Sequence, residues 1–305
     1  GGVARNRIAR INADGTLNAW NPNASAQVTT LVVSGGIVYA GGDFTTIGGQ
    51  TRNRIAALDG TTGSATAWNA NANLPISTLV LSGSGTTLYA GGQFTSIGGQ
   101  TRNRIAEVNI SDGLATAWNP NANNVVSAIA VSGSTVYVGG SFSTIGGQSR
   151  NAIAALQASD GTATSWSPGA VGGGVSTIAV SGTTIYVGGG FIFAGGLARN
   201  RIAALDAASN TALAWNPNAN NAVSTLAVSG SNVYAGGSFT SIGGQTRNRI
   251  AAIDTSTGSA TTWDPNPAGN AVNVISLSGS VMFVGGFYTH MSGQIRNRIA
   301  AIDTS

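Results

Sequence analysis

The sequence contains no cysteine and no lysine, and it has one histidine, His290, and one glutamate, Glu107. Without cysteine, disulfides, thiol catalysis and cysteine-ligated metal sites are excluded. A zinc site of the usual kind needs three or four His or Cys ligands, and a single histidine at a variable position does not indicate a Ser-His-Asp triad. We therefore predict no catalytic, metal-binding or cofactor-binding residue, and we expect a protein that is not an enzyme.

Charge is also scarce, since only 8% of the residues are charged. All 14 basic residues are arginines, and all but Arg10 lie in a repeated R-N-R motif, so the net charge of +4 is not a lysine-rich patch for nucleic acid. No run of about eighteen apolar residues is present, which predicts no membrane-spanning helix. Low charge with abundant Gly, Ser, Thr and Asn is typical of a secreted or cell-surface protein. No leader peptide begins the sequence, so we expect any secretion signal to have been removed or to lie outside these residues.

The dominant feature is a repeated segment, which is G-G-Q-T-R-N-R-I-A-A-L-D at residues 48–59. Seven copies occur, and they begin at residues 1, 48, 98, 146, 195, 243 and 292. Tryptophans recur at intervals of 48, 50, 48, 49 and 48 residues, at Trp20, Trp68, Trp118, Trp166, Trp215 and Trp263. One repeat is thus about 49 residues long, and we expect a single repeat domain over residues 1–305.

Each repeat contains four short apolar runs bounded by turn-forming residues, which predicts four strands, here named A to D in chain order. In one repeat these are residues 76–81, 87–89, 104–108 and 115–118. Strand A is apolar on consecutive residues, as in residues 28–33, which predicts burial on both faces. Repeated units of four antiparallel strands predict an all-β, six-bladed β-propeller. A solenoid of sheets is the alternative, but its ends would need polar caps.

The turn between strands C and D carries a residue for which a positive φ is predicted. These residues are Gly15, Gly63, Gly113, Gly161, Asn210 and Gly258.

The number of strands indicates how the ring would close. The sequence has six A, six B and six D strands, but seven C strands. It begins with C and D and ends with A, B and C, so the closing blade is expected to combine residues 1–22 with residues 272–305. The hairpin through Asp14 and Gly15 favours the N-terminal C strand in that blade. The C-terminal strand would then be free, as an unpaired edge that can pair with another chain.

The arginines at the entry to strand C and the tryptophans each allow a structural and a functional interpretation. The arginines either bond to the backbone or bind an anion or glycan through many repeated contacts, and the tryptophans either pack between blades or stack on sugars. For both sets the structural role is the favoured prediction. The candidate ligand-contact arginines are Arg52, Arg54, Arg102, Arg104, Arg247 and Arg249.

Two segments diverge most from the repeat, residues 190–194 and residues 287–291. Both add apolar or aromatic residues to B-to-C loops, which are expected to be exposed and to be the first place to look for a partner contact. The candidate residues there are Phe191, Phe193, Tyr288 and His290.

The pattern Y-x-G-G-x-F-T-x-I-G-G-Q-x-R-N-R-I-A-x-L-D resembles the delta-60-type repeats of bacterial β-propellers over essentially the whole chain. The resemblance implies a propeller of large extracellular or surface proteins with no common catalytic activity. A weaker likeness is to quinoprotein repeats, A-x-D-x-x-T-G-x-x-x-W. Residues 57–63 match that signature, but four residues rather than three separate Gly63 from Trp68, and all six repeats share this departure. No quinone cofactor is therefore expected.

These observations predict a non-catalytic structural or interaction module of a secreted or cell-surface protein. Its expected partner is a second copy, in an oligomer or fibre built through the surplus C strand, or a cell-surface protein or glycan. The alternatives are a multivalent, lectin-like propeller that binds glycans or anions, and an enzyme of the quinoprotein type.

Overall fold

The computed structural model describes residues 3–305, so Gly1 and Gly2, where the first repeat copy and the predicted closing blade begin, lie outside the described residues. Within that range the chain forms thirty short strands and no helix. Accordingly, the described part of the chain has no helix that is suited to cross a membrane. The chain divides into two compact units, one with residues up to 136, 143–149 and 156–163, and the other with residues 137–142, 150–155 and 164–305.

In the first unit, strands A, B and C of a repeat form one antiparallel sheet, and a short ribbon lies between B and C. The first repeat has β1 (Val28–Ser34), β2 (Ile37–Gly42), β3 (Thr46–Ile47), β4 (Gln50–Thr51) and β5 (Ile55–Asp59). The second has β6 (Ile76–Leu81), β7 (Thr87–Gly92), β8 (Ser96–Ile97), β9 (Gln100–Thr101) and β10 (Ile105–Asn109). The sheets have the orders β1-β2-β5 and β10-β7-β6, and the ribbons are β3-β4 and β8-β9.

The third repeat contains the boundary between the two units. Its strands are β11 (Val126–Ser132), β12 (Thr135–Gly140), β13 (Thr144–Ile145), β14 (Gln148–Ser149) and β15 (Ile153–Gln157). Both β12 and β15 have residues on each side of the boundary.

The second unit repeats the same plan. The fourth repeat has β16 (Ala170–Val171), β17 (Val175–Ser181), β18 (Thr184–Gly189), β19 (Phe193–Ala194), β20 (Leu197–Ala198) and β21 (Ile202–Asp206). The fifth has β22 (Val223–Ser229), β23 (Asn232–Gly237), β24 (Ser241–Ile242), β25 (Gln245–Thr246) and β26 (Ile250–Asp254). The last has β27 (Ala268–Ser278), β28 (Val281–Met291), β29 (Gln294–Ile295) and β30 (Ile299–Asp303). The main sheets have the orders β17-β18-β21, β22-β23-β26 and β27-β28-β29, and in the last sheet β30 also pairs with β28.

Strand D is shorter than the sequence predicts. It forms a single antiparallel bridge to strand C in each repeat, such as Leu58↔Ala65. Beyond the bridge, the Trp68 amide donates to the Thr66 hydroxyl, so side-chain bonds replace the ladder there. The turn before it also differs at one place. The φ of Gly63 is +79°, whereas Asn210 does not adopt a positive φ, and its Oδ1 accepts the N–H of Ser167 at 2.5 Å.

Consecutive repeats pack face to face within each unit. We call the side of a repeat that meets the following repeat its forward face, and the opposite side its backward face. In the first unit, Tyr39 and Trp68 on a forward face share one buried cluster with Leu79 and Leu88 on the next backward face. In the second unit the corresponding cluster includes Tyr186, Ile202, Trp215, Val223, Leu226 and Val233. The junctions between repeats are therefore the hydrophobic core.

A bulge in strand A accompanies a polar bond at three of these junctions. The register between β1 and β2 shifts between Val28 and Thr30, and the Thr30 hydroxyl accepts the amide N–H of Leu79 at 3.1 Å. Leu79 lies in β6, at the edge of its sheet, so a hydroxyl of one repeat satisfies an edge amide of the next. The second unit has the same bond from Leu226 to Thr177 and from Ile275 to Thr225.

The first A strand is not buried on both faces, contrary to the prediction for residues 28–33. Exposed and partly buried residues alternate along β1, and Leu31 and Val33 are 50% and 70% exposed. The physical reason is that only part of this repeat's backward face is covered. Ile8 and Trp20 pack on the backward face of this repeat, in the C and D positions, and they leave the part beside β1 open.

The C-terminal strand is not free, contrary to the prediction. It is β30, and it pairs with β28 from Val281↔Asp303 to Gly285↔Ile299. Its sequence repeats the R-N-R-I-A motif, so it takes the place on β28 that β26 takes on β23. The N-terminal C segment forms the bridge Ile11↔Leu17 with its own D segment. The six-blade count and a closing blade made from residues 1–22 and 272–305 stay predictions.

Candidate functional site

The first arginine of the R-N-R motif holds strand D against the entry to strand C in the repeats that have a D segment, whereas Arg296, among the described residues, bonds only to the oxygen of Ile295. Arg52 donates from Nη1 to the oxygen of Thr51 at 2.8 Å and from Nη2 to the oxygen of Thr66 at 2.5 Å. Arg102 and Arg247 donate in the same way, with Nη2 distances of 2.6 Å to the D segment. Both terminal nitrogens of these guanidinium groups are thus engaged with main-chain oxygens of their own repeat. These two bonds link the D segment to the start of strand C, and they leave the arginines poorly placed to bind a ligand.

The second arginine lies in an unusual backbone turn. Arg54 has a φ of +66°, and the Ile55 amide donates to the oxygen of Asn53 at 2.8 Å, which makes a tight three-residue turn. Arg54 also donates from Nη1 to the main-chain oxygen of Asp43. Arg104 and Arg249 have similar φ values of +66° and +62°. In the third repeat Ala152 adopts +60°, so the turn forms without the guanidinium group.

The tryptophans join one repeat to the next. Five are 3–6% exposed, and Trp263 is partly buried. The Nε1 atom of Trp68 donates to the main-chain oxygen of Asn109 at 2.8 Å, and the Tyr39 ring meets the Trp68 ring edge-on at 5.4 Å. The same donor reaches the C strand of the following repeat from Trp20, Trp118, Trp166, Trp215 and Trp263. The five buried rings are not open to stack on a sugar.

Two of the four candidate residues in the divergent segments are buried, contrary to the prediction. Phe191 is 0% exposed and Tyr288 is 1% exposed, whereas Phe193 and His290 are exposed. Phe191 and Tyr288 occupy the Phe position of Y-x-G-G-x-F, which is buried in every repeat, so the repeat itself held the signal. The Tyr288 hydroxyl donates to the oxygen of Val284 at 2.8 Å, and burial raises the pKa of Tyr288 to about 12.

Phe193 belongs to a small exposed apolar patch in the fourth repeat. Val171 pairs with Phe193 between β16 and β19, and the two side chains are 56% and 47% exposed. Ile192 and Leu197 beside them are 40% and 46% exposed. Other repeats carry Thr, Ser or His at the position of Phe193, and Gln stands at the position of Leu197 except for Val3 in the first motif copy, so this pair of apolar residues is specific to one repeat.

A larger apolar recess lies at the backward face of the first repeat. We call it the N-terminal recess, and Arg10, Trp20, Leu31, Val33 and Val38 line its 540 Å³. The sequence does not mark these residues as a site, because Trp20, Leu31 and Val38 have buried equivalents in other repeats.

The position of this recess is filled in the second repeat. There the Tyr39 ring contacts the cluster that contains Trp68, Leu79 and Leu88, the equivalents of Trp20, Leu31 and Val38. Leu79 is 4% exposed, whereas Leu31 is 50% exposed. The N-terminal recess therefore lies where an internal junction holds a tyrosine ring.

The forward face of the last repeat is also uncovered. We call Val274, Phe283, Ile299 and Ala301 the C-terminal face, and its first three residues are 55%, 48% and 54% exposed. The equivalent tyrosines of the five preceding repeats are 2–7% exposed. Val274 and Phe283 stand where the fifth repeat has Thr225 and Tyr234, so two hydroxyl groups are missing. This face is thus more apolar than the faces that pack inside the array.

A polar recess of 310 Å³ lies on the first unit, lined by residues that include Asn53, Arg54, Asn71, Asn73 and Ser96. The Asn53 side-chain amide donates to Asn71 Oδ1 at 2.9 Å, and Asn73 Oδ1 accepts the Ser96 amide at 3.1 Å. Amide and hydroxyl groups of this kind can bond to the hydroxyls of a sugar.

The carboxylates serve turns and strand contacts. The Asp254 carboxylate accepts the Ser256 hydroxyl and the Ser256 and Thr257 amides, which lowers the pKa of Asp254 to about 2. Glu107 accepts the hydroxyls of Thr87 and Thr116 at 2.6 and 2.7 Å. Within residues 3–305, no group of three His, Cys, Asp or Glu side chains is arranged to hold a metal ion.

Comparison with known proteins identifies a sequence family and a fold. Two overlapping matches, over residues 3–187 and 52–305, are to the family described as outer membrane protein assembly factor BamB. No curated protein matches the sequence. The crystal structure of the computationally designed Ika8 protein is similar, with a TM-score of 0.55 and 15% identity over 92% of this chain and 72% of that one. This likeness concerns the fold alone. The chain therefore belongs to the family of outer membrane protein assembly factor BamB, whose quinoprotein-type repeats form β-propellers.

Proposed function

We propose that residues 1–305 form a non-catalytic interaction module of a secreted or cell-surface protein, and that the module associates with copies of itself. The observation that carries this proposal is the exposure of Leu31 and Phe283. Both are about half exposed, at 50% and 48%, in positions that other repeats bury almost completely. Exposed apolar side chains gathered on a face of this kind are typical of protein contact sites.

The energetics favour association through these faces. Burying one aromatic or large aliphatic side chain contributes roughly 1.5–3 kcal/mol, so Leu31, Val33, Phe283 and Ile299 together can offset a substantial part of the cost of association. The two faces differ, and the match between a forward and a backward face is heterologous. Such a contact builds head-to-tail rings or filaments rather than two-fold dimers.

The comparisons support a binding role in a general way. The family description names an outer membrane protein assembly factor, and a role in assembly fits a protein that contacts other proteins. The composition of the chain, with 8% charged residues and no cysteine, supports the secreted or surface location. The delta-60-type repeat and the count of six blades are part of the same proposal, but closure of a single chain into a ring is not, because it would cover both faces.

The test is the mass of residues 1–305 in solution, measured by light scattering over a range of protein concentrations. We expect the mass to rise with concentration, and we expect Leu31→Asp and Phe283→Asp each to abolish that rise. Leu114→Asp is the matched control, since Leu114 is 55% exposed in a C-to-D turn and belongs to neither face. A protein that stays monomeric at every concentration contradicts the proposal.

A glycan-binding role is the second candidate, and the polar recess beside Asn53 and Asn71 is the observation that favours it. A glycan array with the unaltered protein and Ser96→Tyr, which narrows the recess, tests it. Arg52 and Trp68 are poor choices for that test, because both hold the fold together. Binding that is lost in Ser96→Tyr supports a glycan site, and an array without binding removes this candidate.

The family also raises the quinoprotein-type enzyme as a further candidate. The residues do not fit a quinone cofactor. The terminal nitrogens of Arg52, Arg102 and Arg247 already donate to main-chain oxygens, and the described residues offer no cluster of three metal-ligating side chains. Absorption spectra and metal analysis of the purified protein test this directly. Stoichiometric quinone or calcium would overturn the conclusion.

A further inference from the structure

The two uncovered faces each carry a copy of strand C. At the N-terminal recess the copy is residues 5–12, in which Ile8 is 6% exposed. At the C-terminal face the copy is β30, in which Ile299 is 54% exposed. Ile8 and Ile299 occupy the same position of the R-N-R-I-A motif. If the two faces met as internal repeats do, both strands would need the same place beside β28, so one of them must leave.

We propose that the hairpin of residues 5–20 from a second copy of the chain replaces β30 on β28, and that Phe283 then fills the partner's N-terminal recess. This inference rests on the self-association proposed above and names the strand and the side chain that perform it. In the unassociated chain β30 covers the edge of β28, and it is displaced when a second copy binds. The exchange is a β-strand addition in which main-chain bonds of one strand are replaced by those of another.

The incoming hairpin offers more than β30 does, because it brings strand D with it. Ile11 is bridged to Leu17, and Arg5 donates from Nη2 to the oxygen of Asn18 at 2.9 Å. The internal repeats have the same bridge between strands C and D and the same arginine bond to the D segment.

The Trp263 donor also keeps an acceptor after the exchange. Trp263 Nε1 donates to the oxygen of Asp303 in β30 at 2.8 Å. Asn12 occupies the equivalent position in the hairpin, and Asn109 already serves as the acceptor for Trp68 in the second repeat. The hairpin can therefore satisfy every main-chain role of β30 that the internal repeats show.

Phe283 and the recess are chemically matched. An aromatic ring there would lie beside Trp20, as the Tyr39 ring lies 5.4 Å from Trp68. Arg10 lines the recess where the internal repeats have Ala or Glu, and it is the one arginine outside the R-N-R motif. A guanidinium group beside an aromatic ring adds a cation–π attraction. Both end residues depart from the repeat in directions that suit each other.

The occupant is a second copy because the two faces match one another. Leu31 and Phe283 are 50% and 48% exposed, and the internal junctions bury the equivalent two positions together. A partner built of the same repeat reproduces an interface that the chain already uses within each unit.

The first experiment removes β30. Residues 296–305 are deleted, and the association constant is measured by light scattering or sedimentation beside that of the full chain. We expect it to rise by at least about tenfold, because a strand that occupies the site lowers the apparent affinity by the fraction of chains in which the site is open. If the full chain associates and the deletion abolishes or does not change this, strand replacement is wrong while self-association stands. If neither form associates, self-association itself fails.

A synthetic hairpin separates loss of folding from loss of binding. A peptide of residues 5–20 is added to the deleted chain, and amide hydrogen exchange is followed in β28. We expect slower exchange from Val281 to Gly285, the segment that β30 covers, and at least about tenfold weaker binding to the full chain. The same peptide with Ile8→Asp is the control. Unchanged exchange in β28, with the rest of the chain protected, overturns the proposal.

Cysteine trapping decides between a second copy and the same chain, since the protein has no cysteine of its own. Val274→Cys and Leu31→Cys stand in the relation of Thr225 and Ile275, which are linked by a 3.3 Å bond. Mixed single variants should form a disulfide-linked pair on oxidation, and Ser278→Cys in place of Val274→Cys should not. A double variant that forms the bond only within one chain overturns the choice of a second copy.

Discussion

Trp68 and Asn109 are joined by a hydrogen bond of 2.8 Å from the indole Nε1 to a main-chain oxygen. One residue ends a repeat and the other ends the C strand of the next repeat. The bond recurs at each of the six tryptophans, so the same side-chain donor links each D segment to the C strand of the following repeat. The main-chain acceptor explains why Asp, Asn and Gln all occur at the position of Asn109.

Replacing Trp68 by Phe is expected to reduce the free energy of unfolding by about 1–3 kcal/mol, because the Asn109 oxygen loses its donor inside a buried junction. Trp263→Phe makes the same chemical change where the ring is only partly buried. Water can then donate to the Asp303 oxygen in place of the indole, so the loss of unfolding free energy should be smaller. Guanidinium unfolding followed by circular dichroism measures both. Equal losses would show that the depth of the junction does not matter.

Gly48 and Gly49 form a matched pair for a test of backbone crowding. Both have positive φ, of +61° and +78°, so an alanine at either costs about 1–2 kcal/mol. A Cβ on Gly48 would meet the Ala65 nitrogen at 2.4 Å, whereas a Cβ on Gly49 would meet nothing within 4 Å. Gly48→Ala should therefore lower the unfolding free energy by roughly 1–3 kcal/mol more than Gly49→Ala. Thermal or chemical unfolding of the two variants decides this, and similar losses would contradict it.

Tyr89 should ionise late. Burial, and then the negative charge of Glu107, raise the pKa of Tyr89 to about 12. An acid with a raised pKa in the folded state contributes stability that is complete below its unfolded value near 10 and is lost as pH rises toward about 12. Glu107→Gln removes the smaller cause, so the pKa of Tyr89 should fall but stay above 10. Ultraviolet titration of the phenolate measures it, with Tyr288, whose pKa burial alone raises, as the internal control.

Acid should weaken the turns between strands C and D. The Ser256 hydroxyl, and then the Thr257 amide and hydroxyl, hold the pKa of Asp254 at about 2. A carboxylate with a lowered pKa contributes stability above its unfolded value of about 3.9, and that stability is lost as pH falls through about 2. Asp254→Asn keeps an acceptor oxygen and does not titrate, so its unfolding midpoint should fall less between pH 4 and pH 2. An identical fall in both proteins would mean that the turn carboxylate does not contribute.

The strands and their order follow from the sequence because each is a short apolar run between turn formers. The A, B and C strands lie where the apolar runs predict them, and the Gly-Gly pairs and the tryptophans keep one period throughout. Burial in the divergent segments was also within reach of the sequence. Phe191 and Tyr288 align with the buried Phe position, but their unusual neighbours suggested an exposed loop instead.

The uncovered faces could not be predicted from local patterns. Leu31 is as apolar as Leu79, and only the presence of a neighbouring repeat makes one buried and the other exposed. Pairing of β30 with β28 is similar: the hairpin through Asp14 and Gly15 favours the N-terminal C segment for that place, but the pairing depends on which segment lies beside β28. Arg10 and Phe283 are the local departures that mark these faces, and each is a single substitution within a nearly uniform repeat.

The threonine that accepts an amide from the following repeat has a consequence for how such a gene can change. Thr30, Thr177 and Thr225 each serve a residue 49 or 50 positions later, at the same place in the next repeat. Unequal recombination between near-identical copies removes or adds one whole unit at a time. The units that carry Thr30, Thr78, Thr177 or Thr225 present the same hydroxyl, so neighbours joined behind any of them match without a further substitution. Array length can therefore drift in evolution while the chemistry at those junctions is inherited intact.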